Sequence, residues 1–181
     1  MSRLPELDPN ALTPEQKQVF DAITNGPRGG VRGPFAALMH HPGIAGHIQA
    51  MGIHLRFDGA LPGRLRELAI LTAARFWGAE YEWNSHAPIA EKEGLGLAVI
   101  DAIAENRTPD FADDEESAVH AFCRELHGDH RVTDATYDAA TAALGHEGVI
   151  ELTALCGYYT LISMNLNTFQ VSPPEGARKL A

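Results

Sequence analysis

The sequence is short of several things, and each shortage removes a class of function. Among 181 residues there are two cysteines, Cys123 and Cys156. They share no close spacing, so neither a zinc knuckle nor a redox C-x-x-C is available. Two lone cysteines fit a reducing compartment. No run of about 20 apolar residues occurs. The nearest, Val149 to Val171, is interrupted by Glu151, Asn165, Asn167 and Gln170. The opening Met1-Ser2-Arg3-Leu4-Pro5-Glu6 has no apolar stretch and does not read as a signal peptide. The expectation is a cytoplasmic protein with no membrane partner. Basic residues are also in deficit, 14 against 24 acidic, for a net charge of −10. That balance argues against nucleic acid as a partner, while a few local arginines can still reverse the field inside a pocket.

What is present is helical periodicity. The hydrophobic fraction of 45% supports a packed core, and no segment alternates as a strand would. Thr13-Pro14-Glu15-Gln16 reads as an N-cap, a proline at the first helical position and a capping-box glutamine. Further helices are expected over Pro34–His41, Gly43–Phe57, Leu61–Trp77, Ala79–Glu93, Leu97–Glu105 and Glu115–His127. Thr133 caps another that ends near Gly145, and the last runs from about Gly148 to Val171. Leu65, Leu68, Ala69, Thr72, Ala73 and Phe76 form a core stripe. The fold class is all-α: one domain over 1–181 with roughly eight helices, a core over about 33–171, and extensions at 1–12 and 172–181. Pro173-Pro174-Glu175-Gly176 reads as a loose tail.

The chemistry concentrates in Glu80-Tyr81-Glu82-Trp83-Asn84-Ser85-His86. Glu82 and His86 are four apart, so a helix puts them on one face as an acid–base pair, or as an ordinary exposed ion pair. Much of this helix is apolar, which favours the functional reading. Glu67 shares its helix face with Leu71 and Ala74. It either leans into the packed side, where burial raises a carboxyl pKa, or stays solvated beside Arg64 or Arg66. Tyr81 and Trp83 are candidate pocket walls, with core packing as the alternative. The glycine-rich segment Gly26–Phe35 lacks the G-K-[ST] of a phosphate loop; it is either a connector or a pocket rim bearing Arg28 and Arg32. Tyr158 and Tyr159 are polar groups on the most apolar helix and need partners. His47 and His54 share a helix face without a nearby carboxylate, so no metal site is expected.

Arg66-Glu67-Leu68-Ala69-Ile70-Leu71-Thr72-Ala73-Ala74-Arg75 followed by Gly78-Ala79-Glu80-Tyr81-Glu82-Trp83-Asn84-Ser85-His86 resembles the core of the carboxymuconolactone decarboxylase and alkylhydroperoxidase D superfamily. Gly33-Pro34-Phe35, Leu55-Arg56-Phe57 and Leu166–Val171 extend the resemblance. In the peroxidase branch a glutamate is followed by a cysteine twelve residues on, a second cysteine three further and a histidine four beyond. These positions fall on Glu67, Ala79, Glu82 and His86. Both redox sulfurs are therefore missing, and the resemblance implies the decarboxylase-like branch. It implies a cofactor-independent decarboxylase or lactone-processing enzyme acting on a small carboxylated substrate. In that reading His86 delivers a proton, Glu82 orients the imidazole, and protonated Glu67 hydrogen-bonds a lactone oxygen. Arg28, Arg32, Arg56, Arg64 or Arg75 would hold carboxylates. It further implies a homo-oligomer, trimer or hexamer. A hydroperoxidase-type oxidoreductase and a non-catalytic ligand-binding protein are the alternatives.

Overall fold

In the computed structural model, residues 2–173 and 175–180 are described; Met1, Pro174 and Ala181 lie outside them. Eight α-helices follow one another, and there is no strand among the described residues. They are α1 (Pro14–Asn25), α2 (Pro34–Leu38), α3 (Pro42–Ile53), α4 (Gly63–Phe76), α5 (Glu80–Lys92), α6 (Leu97–Ala104), α7 (Asp114–Asp129) and α8 (Asp134–Phe169). The expected all-α architecture is the one found.

Local sequence accounts for the helix starts. Thr13 Oγ1 accepts from the Gln16 amide at 3.2 Å, and Gln16 Oε1 accepts from the Thr13 amide at 3.0 Å, completing the capping box. Asp113 caps α7 through the amides of Glu115 and Glu116. Two boundaries differ from the sequence expectation. The helix expected over Gly43–Phe57 ends its α-helical part at Ile53 and continues as one wide π-helical turn, His54–Asp58. The two helices expected on either side of Gly145 run on as α8, broken only where Gly145 takes φ 68° and ψ 173°.

The centre of the molecule is α4, which packs against α5, α7, α8 and α6. Leu65 and every residue from Glu67 to Ala74 are buried, so the helix is enclosed on nearly all sides rather than along one stripe. Burying four-residue turns of Leu and Ile this completely stabilises the fold by about 1.5–3 kcal/mol per large side chain. It also carries Glu67 into the interior. Helix α8 is the one described helix long and apolar enough by composition to cross a membrane, and half of that stretch is buried against the rest of the protein. Its buried side, including Leu152, Leu155, Cys156, Tyr159 and Ile162, belongs to the same core cluster as α4. Past Pro173–Gly176, the stretch read as a loose tail, the chain is tied down: the Arg178 amide donates to Asn84 Oδ1 at 2.8 Å, and its guanidinium reaches Asp101 at 2.5 Å.

The loop between α1 and α2 is placed by Gly33. Its φ of 58° lies in the left-handed region, and a Cβ there would collide with the Tyr81 ring. Gly33→Ala is therefore expected to destabilise the protein by about 1–3 kcal/mol in urea unfolding, combining backbone strain with displacement of Tyr81.

Candidate active site

The α4–α5 corner brings Glu67, Glu82 and His86 together. Gly78 (φ 57°) turns the chain, the Ala79 amide bonds back to Ala74 O at 2.9 Å, and α5 returns alongside α4. His86 lies between two carboxylates. Its Nδ1 is 2.6 Å from Glu67 Oε2, and its Nε2 is 3.2 Å from Glu82 Oε1. Glu67, Glu82 and His86 are 1%, 6% and 3% exposed. These values dispose of the solvated alternative for Glu67 and of the surface ion-pair alternative for Glu82 and His86. Arg66 approaches the other oxygen of Glu67, Nε to Oε1 at 3.5 Å. The Tyr159 hydroxyl is 3.4 Å from His86 Nε2, and the two rings meet edge to face with centroids 5.3 Å apart.

Burial works against a charged imidazole here, but hydrogen bonds to Glu67 and then Glu82, together with their charges, outweigh it. The His86 pKa lies above its ordinary value of 6.5. Burial also acts on the neighbouring phenol: the Tyr159 hydroxyl is pushed well above its usual range, first by burial and then by the Glu82 charge, which the charge of Arg56 only partly offsets. Tyr159 therefore stays a neutral donor at any working pH.

A cavity of about 410 Å³ opens on this cluster. His86 and Glu82 form part of its wall with Tyr81, Ser85 and Ile89 from α5. Facing them are Pro27, Arg28, Gly30 and Arg32 of the glycine-rich loop, Pro34 and Phe35 of α2, and Arg56 and Phe57 of the π-helical turn. The glycine-rich segment is thus a rim of the cavity, not merely a connector. Arg28 is fixed from three sides: Nε donates to Gln49 Oε1 at 2.5 Å, a terminal nitrogen donates to Tyr158 Oη at 3.2 Å, and the guanidinium lies 4.5 Å over the Phe35 ring. Arg32 donates to Arg28 O at 2.9 Å, and Arg56 lies 5.1 Å from the Phe57 ring centroid.

Several sequence expectations need correction. Glu67 is not in the cavity wall; it stands behind His86 and grips Nδ1, the orienting position that the resemblance gave to Glu82. Glu82 is the carboxylate that reaches the cavity. Arg64 points elsewhere, pairing with Glu116 and lying 3.0 Å from Asp113 on the α7 side. Arg75 donates to Ala104 O at 3.0 Å, at the α6 end. Trp83 is 1% exposed and belongs to the core cluster, not to the cavity wall. Tyr159, Ser85 and Phe35 also join the site. Tyr159 was legible as a polar group needing a partner on an apolar helix, while Ser85 lay within the heptapeptide and Phe35 at the end of the glycine-rich segment without being singled out. His47 and His54 are exposed, and among the described residues no group of three or more histidines, cysteines or acids is arranged to hold a metal ion.

The raised pKa has a thermodynamic consequence. A folded-state pKa above the unfolded value contributes stability that is complete below about pH 6.5 and disappears as pH rises through the folded pKa. Urea unfolding between about pH 6 and 9 should therefore show stability falling with pH. Glu67→Gln, which removes the carboxylate bonded to Nδ1, should flatten that fall. An unchanged slope in Glu67→Gln would contradict the pairing.

A model of the carboxymuconolactone decarboxylase family matches residues 42–125, the span from α3 into α7 that holds Glu67, Glu82 and His86. No functionally curated protein matches the chain. Among solved structures, the chain is similar to an uncharacterized peroxidase-related protein with an alkylhydroperoxidase AhpD core from Ralstonia eutropha JMP134. The two are 20% identical with a TM-score of 0.78, over 96% of this chain and 93% of that one. It is also similar to the debrominase Bmp8 in its apo form, at 16% identity and a TM-score of 0.73, over 94% and 91%. A peroxidase-related protein from Silicibacter sp. TM1040 aligns at 11% identity and a TM-score of 0.75, over 97% and 92%. Identities this low speak for the fold. By these matches residues 42–125 are similar to the carboxymuconolactone decarboxylase family, and the fold is that of the alkylhydroperoxidase AhpD core.

Proposed function

We propose that the protein is a cofactor-independent acid–base enzyme that decarboxylates, or otherwise processes, a small carboxylated lactone. The observation that carries this reading is the imidazole of His86 clamped between two buried carboxylates at the wall of a cavity whose opposite side bears Arg28, Arg32 and Arg56.

The chemistry follows from the atoms. Glu67 occupies Nδ1, so the proton available to the cavity is the one on Nε2. Arginines across the cavity hold the substrate's carboxylates, a role suited to a planar, always-charged donor. When the bond to the departing carboxylate breaks, carbon dioxide leaves and the electron pair spreads into the lactone carbonyl. The Nε2 proton then passes to the carbanionic carbon. Glu67 and Glu82 stabilise the imidazolium before transfer, and a proton from water entering the cavity restores the ring at Nε2 afterwards. Tyr159 keeps the ring in place edge-on. As a homo-oligomer, trimer or hexamer, the protein would bury some of the apolar side chains now exposed on α3 and α8, such as Met51, Ile150 and Met164.

The dithiol-peroxidase alternative lacks support at this cavity. Its two sulfur positions are Ala79, buried in the core, and Glu82, and no cysteine is among the lining residues.

His86→Ala is expected to lower turnover of a carboxylated butenolide by roughly 10²–10⁴-fold, followed as carbon dioxide release. Parental turnover in that variant would sink the proposal. Arg28→Ala or Arg56→Ala should act mainly on KM, raising it about tenfold or more. Saturable binding of lactone acids by the parent without any conversion would favour the ligand-binding alternative.

A further inference from the structure

Cys123 and Cys156 have no place in the cavity, yet they meet. Cys123 sits on α7 and Cys156 on α8, 33 residues away in sequence, with their Sγ atoms 3.5 Å apart. Both are free thiols, and both are buried. His127, one helical turn beyond Cys123, is buried too, and its Nε2 has no hydrogen-bond partner among the described residues. Its ring stacks on Phe76, centroids 5.3 Å apart, and Phe76 is 43% exposed. His127 thus lies just beneath an exposed aromatic ring.

The two sulfurs are not equivalent. The hydrogen bond from Cys123 is the main influence that draws the Cys156 thiol down; His127 adds a hydrogen bond and its charge, and together these outweigh burial. The same bond and burial push the Cys123 thiol well up. One sulfur is set to ionise and the other to keep its proton.

We propose that Cys123 and Cys156 are a reversible redox site that closes to an intramolecular disulfide when the protein meets a hydroperoxide. The Cys156 thiolate attacks the terminal peroxide oxygen; the O–O bond breaks, an S–O bond forms, and the alcohol (or water, from hydrogen peroxide) departs with one proton. The Cys123 sulfur then attacks the Cys156 sulfenic acid. An S–S bond forms, the S–O bond breaks, and hydroxide leaves as water with the Cys123 proton. Two thiols lose two electrons and one peroxide gains them. Because the sulfurs are already in contact, closure requires side-chain rotation rather than a shift of α7 against α8. A dithiol reductant reverses the reaction. The site is independent of the chemistry proposed at His86.

The test is a thiol count on the full-length protein. After stoichiometric hydrogen peroxide, denaturation and alkylation with N-ethylmaleimide, alkylated thiols should fall from two to none. The mass should be lower by two hydrogens, the chain should stay monomeric on a non-reducing gel, and dithiothreitol should restore both thiols. Cys123→Ser should stop at a Cys156 sulfenic acid trapped by a 1,3-diketone, while Cys156→Ser should leave Cys123 unmodified. Cys123→Ser and Cys156→Ser should keep the parental turnover of the carboxylated butenolide, since neither residue lines the cavity, which separates this outcome from that of the lactone reaction. Two alkylated thiols after peroxide, or a disulfide-linked dimer, would overturn the proposal even if the serine variants failed to fold.

Discussion

The structure depends on one buried ion cluster: an imidazole held by carboxylates on both of its nitrogens. An isolated ionised side chain in a protein interior is expensive, and removing one partner of a buried pair costs about 3–5 kcal/mol. Here each charged group has a partner within hydrogen-bonding distance, 2.6 Å on one side of His86 and 3.2 Å on the other. This requirement explains why α4 and α5 must form a tight corner at Gly78. Glu67 comes from one helix, and Glu82 and His86 come from the other. Packing of α8 then closes the cluster with Tyr159, and Arg66 offers Glu67 a second, longer contact.

The cavity next to the cluster is electrically divided. One wall is acidic and protonic, made by α5; the other carries three arginines from the glycine-rich loop and the π-helical turn. A protein with a net charge of −10 has in this way built a local field that suits an anion. The π-helical turn is part of that construction, since His54–Asp58 is the segment that supplies Arg56 and Phe57. Such interruptions of α-helices occur often where side chains serve a site. The loop contribution depends on Gly33, whose conformation lets the backbone approach Tyr81.

Much of this was legible in the sequence, for identifiable reasons. Glu82 and His86 share a face because four residues make about one helical turn, and no tertiary information is needed to see it. The capping box at Thr13 and the glycine stops were equally local. Glu67 was ambiguous because α4 shows a stripe-like pattern, whereas its alanines let neighbouring helices approach on every side. The arginines were not separable by sequence. Arg56 reaches the cavity while Arg64 and Arg75 serve α7 and α6, a choice made by packing. Trp83 was misplaced because the choice between core and cavity for an aromatic beside the acid–base pair is made by the helices packed around α5, which local spacing does not show. The meeting of Cys123 and Cys156 depends on how α7 lies along α8, which spacing alone cannot reveal.

The central claim is that Glu67 and Glu82 together hold His86 protonated above the ordinary imidazole range. The most direct measurement is a pH titration of the protein by NMR with ¹⁵N-labelled histidine, following both ring nitrogens of His86. The account predicts that the midpoint of His86 lies above 6.5, with both ring nitrogens protonated below it. A His86 that titrates at or below 6.5 would contradict it.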